Sequence, residues 1–213
     1  TTTIIADPHE IANVSGKTGI DFMLNASEHI PLNVYMMIPS CVPATKDEHS
    51  GAIITAEDIK SFKHHPRVIG LGEVMDYPSV IHGEKDIFDK INVMKNLNID
   101  GHAPDLIGPD LNAYILSGIQ TDHECTFPES MIERIRLGMY VHLREGSATR
   151  NTVPLLKGLK PNYLNRVLFC TDDKHPEDIR KEGHINYNVN LAIKAGIDPI
   201  DAIIMATLNP ANC

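Results

Sequence analysis

The chain of 213 residues predicts an α/β protein built on parallel strands, and three observations predict it. Short runs rich in Val, Ile and Leu alternate with stretches of helical periodicity along the whole length. Almost every such run stops at residues able to bind metal or move protons. The composition, 42% hydrophobic and 22% charged with no low-complexity tract, is that of an ordinary globular chain, so one core is expected at a length that single α/β domains commonly occupy.

The first run, Thr2 to Ala6, reads as a short buried strand ending in the polar burst Asp7-Pro8-His9-Glu10, which is expected to be its loop. Further strands are expected at Leu32 to Ile38, Val68 to Leu71, near Ile99, near Ile119, at Met139 to Leu143 and at Val167 to Cys170. Helical patterns lie between and after them: Ile20 to His29, Ala56 to Lys63, Asp86 to Asn96, Asp110 to Ser117, Pro128 to Leu137, Thr152 to Leu159 and Tyr187 to Ala195. Thr55 and Asp198 are placed to cap helix N-termini, the latter followed by Pro199 at the first helical position. Gly118, Gly138 and Gly196 stand just past helix ends, where a left-handed residue is wanted. Seven strands fall short of a closed (β/α)8 barrel and exceed some doubly wound sheets, so the count alone leaves both open.

Charge and motif content exclude several functions. With a net charge of −9 and no cluster of Lys and Arg, the chain lacks the means to neutralise a phosphate backbone, and no nucleic acid polymer is expected as partner. Cys41, Cys125, Cys170 and Cys213 form no C-x-x-C pair, which fits a reducing compartment. Neither a signal peptide nor an apolar run of membrane-spanning length occurs, and a cytoplasmic protein with no membrane partner is expected. No G-x-G-x-x-G, Walker A or G-x-S-x-G pattern supports dinucleotide binding, P-loop chemistry or a serine nucleophile.

The polar residues at strand ends carry the chemical argument. They are Asp7-Pro8-His9-Glu10, Pro39-Ser40-Cys41, Gly72-Glu73-Val74, Asp100-Gly101-His102, Thr121-Asp122-His123-Glu124, Arg144-Glu145-Gly146-Ser147 and Thr171-Asp172-Asp173. The carboxyl ends of parallel strands face one way, so these clusters are expected to converge. Each taken singly also suits a turn or a helix cap. Glu73, flanked by Val68-Ile69-Gly70-Leu71 and Val74-Met75, is expected to be partly buried and to need a cation or donors. His102 and His123 stand roughly one βα unit apart and suit a divalent transition ion, with Asp172 as ligand, general base or both.

At these residues the chain resembles adenine deaminases of the amidohydrolase superfamily. The similar stretches are ADPHEIANVSG from Ala6, PSCVPAT from Pro39, GLGEVM from Gly70, DGHAP from Asp100, TDHE from Thr121, REGSA from Arg144, TDD from Thr171 and MATLNPA from Met205. The resemblance implies a distorted TIM-like (β/α)8 barrel, a centre of two Mn2+ or Fe2+ ions with Zn2+ also possible, and hydrolysis of adenine to hypoxanthine and ammonia in purine salvage. It implies Glu73, His102, His123 and Asp172 as metal ligands, with Asp172 also shuttling a proton and Asp7 implicated in proton transfer. Asp7, Glu10 and Glu124 are the candidates for a proton donor to the purine ring. Arg144, Glu145 and Ser147 are expected either to recognise the base or to order their loop.

One departure stands out: the family carries a first strand ending in His-x-His, and this sequence contains no His-x-His. The expectation is therefore a single incomplete barrel domain over residues 1–213, with about seven of eight βα units and without the family's flanking domains. At most one ion and little deamination are expected of such a chain, and the open strand edges point to self-association as a homo-oligomer. Another amidohydrolase activity, on a cyclic amide or a phosphoester, and an inactive barrel scaffold are the alternatives.

Overall fold

A computed structural model describes residues 1–45 and 47–213. The chain divides into two compact units, one of residues Thr2–Ala103 with Gly108–Gln120 and one of Thr1, Pro104–Ile107 and Thr121–Cys213.

The first unit runs β1 (Thr3–Ala6), α1 (His9–Ala26), β2 (Asn33–Pro39), α2 (Ala56–Phe62), β3 (Val68–Val74), α3 (Tyr77–His82), α4 (Lys85–Met94), β4 (Asn98–Gly101) and α5 (Gly108–Leu116). Its strands form one parallel sheet in the order β1-β2-β3-β4. Side chains such as Ile20, Met36, Ile38, Leu71, Ile99 and Leu111 are fully buried there. The second unit runs β5 (Thr121–Asp122), α6 (Pro128–Arg136), β6 (Tyr140–Arg144), α7 (Thr152–Leu156), a 3-10 helix (Pro161–Arg166), β7 (Val167–Cys170), α8 (Pro176–Glu182), α9 (Ile185–Lys194), α10 (Pro199–Ala206) and α11 (Leu208–Asn212). Its strands are again parallel, in the order β5-β6-β7, over a core that includes Met131, Val141, Leu143, Val167 and Met205.

The expected strand succession and the parallel pairing are both present, with shifted boundaries. β1 is the edge of its sheet, so Ile5 is 53% exposed and the strand is half-buried rather than buried. β3 runs on through Gly72 and Glu73 to Val74, and the fifth strand is only two residues, past Ile119. α1 begins at His9, so the expected loop at His9 and Glu10 is in fact the first helical turn. The kink at Gly16 (φ 58°, ψ −139°) disguised this helix, because the interruption broke its periodicity in the sequence. α3, α8 and the 3-10 helix carry too little apolar patterning to announce themselves.

The caps behave as their residue types dictate. Thr55 Oγ1 accepts from the Asp58 N–H while the Asp58 carboxylate accepts from the Thr55 N–H at 2.9 Å, a reciprocal capping box on α2. Asp198 accepts from the Ile200 N–H at 2.8 Å ahead of α10, and Gly118, Gly138 and Gly196 take φ of 104°, 98° and 99°.

Candidate functional site

In the first unit the chemistry gathers at the carboxyl ends of β1, β3 and β4. Glu73 lies in the last turn of β3 and presents Oε2 at 3.2 Å from Nδ1 of His102, the residue just past β4. Between Leu71↔Ile99 and Val74↔Gly101 the β3–β4 register shifts, two residues of β3 facing one of β4. A bulge of this kind re-aims side chains, and Glu73 sits inside it. On the β2 side, buried Ser40 holds the same turn: its hydroxyl donates to the Glu73 carbonyl at 2.8 Å and its N–H to that of Gly72 at 3.2 Å.

Asp7, in the loop after β1, packs directly on the β3 backbone. A Cβ at Gly72 would stand 1.9 Å from Asp7 Oδ2, so only glycine leaves room for the carboxylate. His9, at the start of α1, brings Nδ1 to 3.4 Å from Asp7 Oδ1 without the alignment of a hydrogen bond. Both Asp7 oxygens are buried with no hydrogen-bond partner among the described residues. Burial, opposed by His9 and reinforced by Glu73 and Asp100, pushes the Asp7 carboxyl up to about 6. The Asp7 carboxylate in turn outweighs burial at His9 and raises that imidazole to about 9. Asp7, His9 and Glu73 each offer one ligand atom, all within 4.8 Å of one another. Carboxylate oxygens left unpaired in a buried place, beside an imidazole and a second carboxylate, are a donor set that fits a divalent cation.

In the second unit His123, Glu124 and Asp172 form a comparable group, with one ligand atom each within 4.8 Å. His123 is buried, and its Nε2 lies 3.5 Å from Glu124 Oε1. Arg144, at the end of β6, joins the carboxylates: Nη1 donates to Glu124 Oε1 and, at 2.9 Å, to Asp172 Oδ2, while Nη2 donates to Glu124 Oε2 at 3.1 Å. Burial would lower the Arg144 pKa, but Glu124 and Asp172 outweigh it and hold the guanidinium charged. Asp172 adopts φ 56° and accepts from the Asp173 N–H at 2.6 Å, an unusual conformation for a residue other than glycine.

Behind this group, buried Asp122 accepts from the Glu124 N–H at 3.1 Å and from Arg134 Nε. Ser147 donates to Asp178 Oδ2 and accepts from the His175 N–H at 2.8 Å, so its hydroxyl orders the loop after β6. Glu145 is buried next to Arg150, at 3.8 Å, and burial raises its carboxyl against the opposing pull of Thr152 and Arg150.

Of the residues singled out in the sequence, Asp7, Glu73 and His102 thus meet in the first unit, where Glu10 is exposed on α1. His123, Glu124, Arg144 and Asp172 meet in the second, where Glu145 and Ser147 serve the neighbouring loop. His9, Ser40, Gly72 and Asp122 were named only as members of their strand-end clusters, with no role of their own, and Arg134 was not named. Asp-Pro-His was a visible pattern, but it reads as a loop unless α1 is known to start at His9.

A family model described as the amidohydrolase family matches residues 1–213. The chain is 50% identical over 212 residues to adenine deaminase 2 of Carboxydothermus hydrogenoformans, covering 100% of this chain and 37% of that protein. It is 52% identical over 211 residues to the adenine deaminase of Petrotoga mobilis, covering 99% and 37% respectively. The chain therefore spans somewhat over a third of the length of these curated relatives. Among solved structures it is similar to the β-aspartyl dipeptidase of Fervidobacterium islandicum AW-1, with TM-score 0.65 and 13% identity over 100% of this chain and 63% of that one. It is also similar to YjjV, a TatD homologue of Escherichia coli K12, with TM-score 0.64 and 12% identity over 97% and 83%. These two likenesses speak to fold alone, and they support the α/β class and a partial (β/α)8 barrel. No helix among the described residues is long and apolar enough to cross a membrane.

Proposed function

The chain belongs to the amidohydrolase family, and from that premise we propose that it supplies the catalytic core of a hydrolase that deaminates adenine to hypoxanthine and ammonia. What carries the reading is the identity of 50–52% to adenine deaminases along essentially all of this chain. The family implies a divalent metal, and a group of candidate ligands stands in each unit. Glu73 and His102 are the proposed ligands of the first unit, His123 and Asp172 those of the second. Nitrogen and carboxylate donors without thiolate suit Mn2+ or Fe2+, with Zn2+ accommodated.

Divalent metal, when bound, lowers the pKa of water to near neutrality and so makes hydroxide available for attack on C6 of the purine. The chain's own residues must then move protons. Asp172, held by Arg144, is proposed to take a proton at Oδ2 and pass it to the departing amino group. Asp7, buried and with its carboxyl shifted towards neutrality, is proposed to exchange a proton with the ring. Arg144 spends its Nη groups on Glu124 and Asp172, so its proposed part is to orient those carboxylates and not to grip the base.

The test is a chimera in which this chain replaces the matching residues of the Petrotoga mobilis adenine deaminase. Loaded with Mn2+, it should release ammonia from adenine, and Glu73→Gln in the chimera should lower kcat/KM by at least about 100-fold. A chimera that folds and binds Mn2+ yet leaves adenine intact would overturn the reading.

A further inference from the structure

The β3–β4 register shifts at the bulge that carries Glu73, so the contacts that tie the two strand ends together bear on the direction of its carboxylate relative to His102. Tyr114, a fully buried residue of α5, reaches the strand ends at this point. Its hydroxyl donates to the Val74 carbonyl at 2.7 Å and accepts from the His102 N–H at 2.9 Å. The phenol oxygen thereby bridges the carbonyl of Val74, the residue after Glu73, and the amide of His102 itself, just beyond the last rung at Val74↔Gly101. A hydroxyl can do this because it is donor and acceptor at once. With Ser40 holding the Glu73 carbonyl from the β2 side, the turn is fastened on both flanks.

We infer that Tyr114 is a positioning residue for metal binding: its hydroxyl ties the ends of β3 and β4 together just past their last rung and sets Glu73 and His102 at ligating separation. The inference rests on the proposed metal role of those two residues. The side chains themselves are 3.2 Å apart, and ligand geometry tolerates displacements of only about 0.5 Å before affinity suffers. A phenyl ring would fill the same space and leave the Val74 carbonyl and His102 N–H without this bridge, freeing both strand ends to drift.

The experiment titrates the protein with Mn2+ and records the visible spectrum of the Co2+ form, for the wild type, Tyr114→Phe, Glu73→Gln and the control Thr55→Ala. Thr55→Ala removes the α2 cap in the same unit and so reports what mere destabilisation does. Tyr114→Phe is expected to weaken Mn2+ binding about 10–100-fold and to shift the Co2+ bands, while Thr55→Ala moves neither. Unchanged affinity and spectrum in Tyr114→Phe, with binding abolished in Glu73→Gln, would overturn the inference and leave the metal reading standing. A wild type that binds Mn2+ no better than Glu73→Gln would overturn the metal reading and the inference with it. Should Tyr114→Phe fail to fold, amide exchange in the wild type decides: strong protection of the His102 N–H supports the bridge, and exchange at the rate of a solvated amide overturns it.

Discussion

Asp7 shows how one side chain can be both misfit and instrument. Its oxygens are buried without hydrogen-bond partners among the described residues, and its room exists only because Gly72 has no Cβ. Gly72→Ala is therefore expected to destabilise the protein by about 1–3 kcal/mol in urea unfolding, as overpacking does. Adding Asp7→Ala should recover most of that loss, since the clash needs both partners; a cost that Asp7→Ala fails to relieve would contradict the contact. The same carboxylate governs His9. Because the folded protein holds the His9 imidazole at about 9 against an ordinary 6.5, protonated His9 contributes stability that is complete below about 6.5 and lost as pH rises through about 9. Asp7, raised to about 6 from 3.8, adds a similar decline over that lower window. In chelator-treated protein Tm should fall between pH 6.5 and 9, and Asp7→Asn should flatten that segment; an equal slope in the variant would show that another group causes it. Asp7, Glu73 and His102 were legible as strand-end residues, because a carboxylate or imidazole after an apolar run is conspicuous. The particular parts of Gly72 and His9, named only within those clusters, were not, since the importance of each depends on an approach that only tertiary structure reveals.

Among the elements, β5 is the one least able to stand alone, being two residues long and yet the carrier of His123 and Glu124. Its anchor is the pair of Asp122, 0% exposed at the side chain, with Arg134 of α6, 1% exposed. Breaking a buried pair deprives the remaining charge of its counter-ion, so Arg134→Met should cost about 3–5 kcal/mol, and Asp122→Asn with Arg134→Met together less than Arg134→Met alone. Urea unfolding of the two variants measures the difference; a mild Arg134→Met would mean that the Asp122 charge is relieved by other donors. The sequence placed a strand near this point without its anchor, because a lone Arg at position 134 in an amphipathic helix reads as solvated. Elements with plain apolar runs, β2 and β7, were found nearly residue for residue. α1 was found only in its second half because Gly16 interrupts it, and β3 was cut short because Gly72 and Glu73 read as the polar end of the strand.

For the molecule as a whole, the regular alternation of strand and helix made the α/β class legible, since it is a long-period signal that no single misplaced boundary can erase. The pairing of candidate ligands within each unit was less so: sequence order ranks strands but says nothing of distances between side chains. Those distances carry a charge argument. The chain is acidic, with a net charge of −9, and in the first unit Glu73 and Asp100 both raise the Asp7 carboxyl. Self-repulsion of this kind costs folding free energy that a divalent cation can offset, because a ligand that binds only the native state stabilises it by mass action. At a Mn2+ concentration of about 100 times Kd the gain is about 2.7 kcal/mol. In a chain of this length that corresponds to a Tm about 5–10 °C higher. Excess EDTA should reverse the rise, and NaCl at matched ionic strength should not reproduce it, since screening acts on all exposed charges whereas ligation acts on the clustered ones. Glu73→Gln should abolish most of the shift. Equal shifts in the wild type and in Glu73→Gln would assign the stabilisation to diffuse cation binding and remove the clustered donors from the explanation.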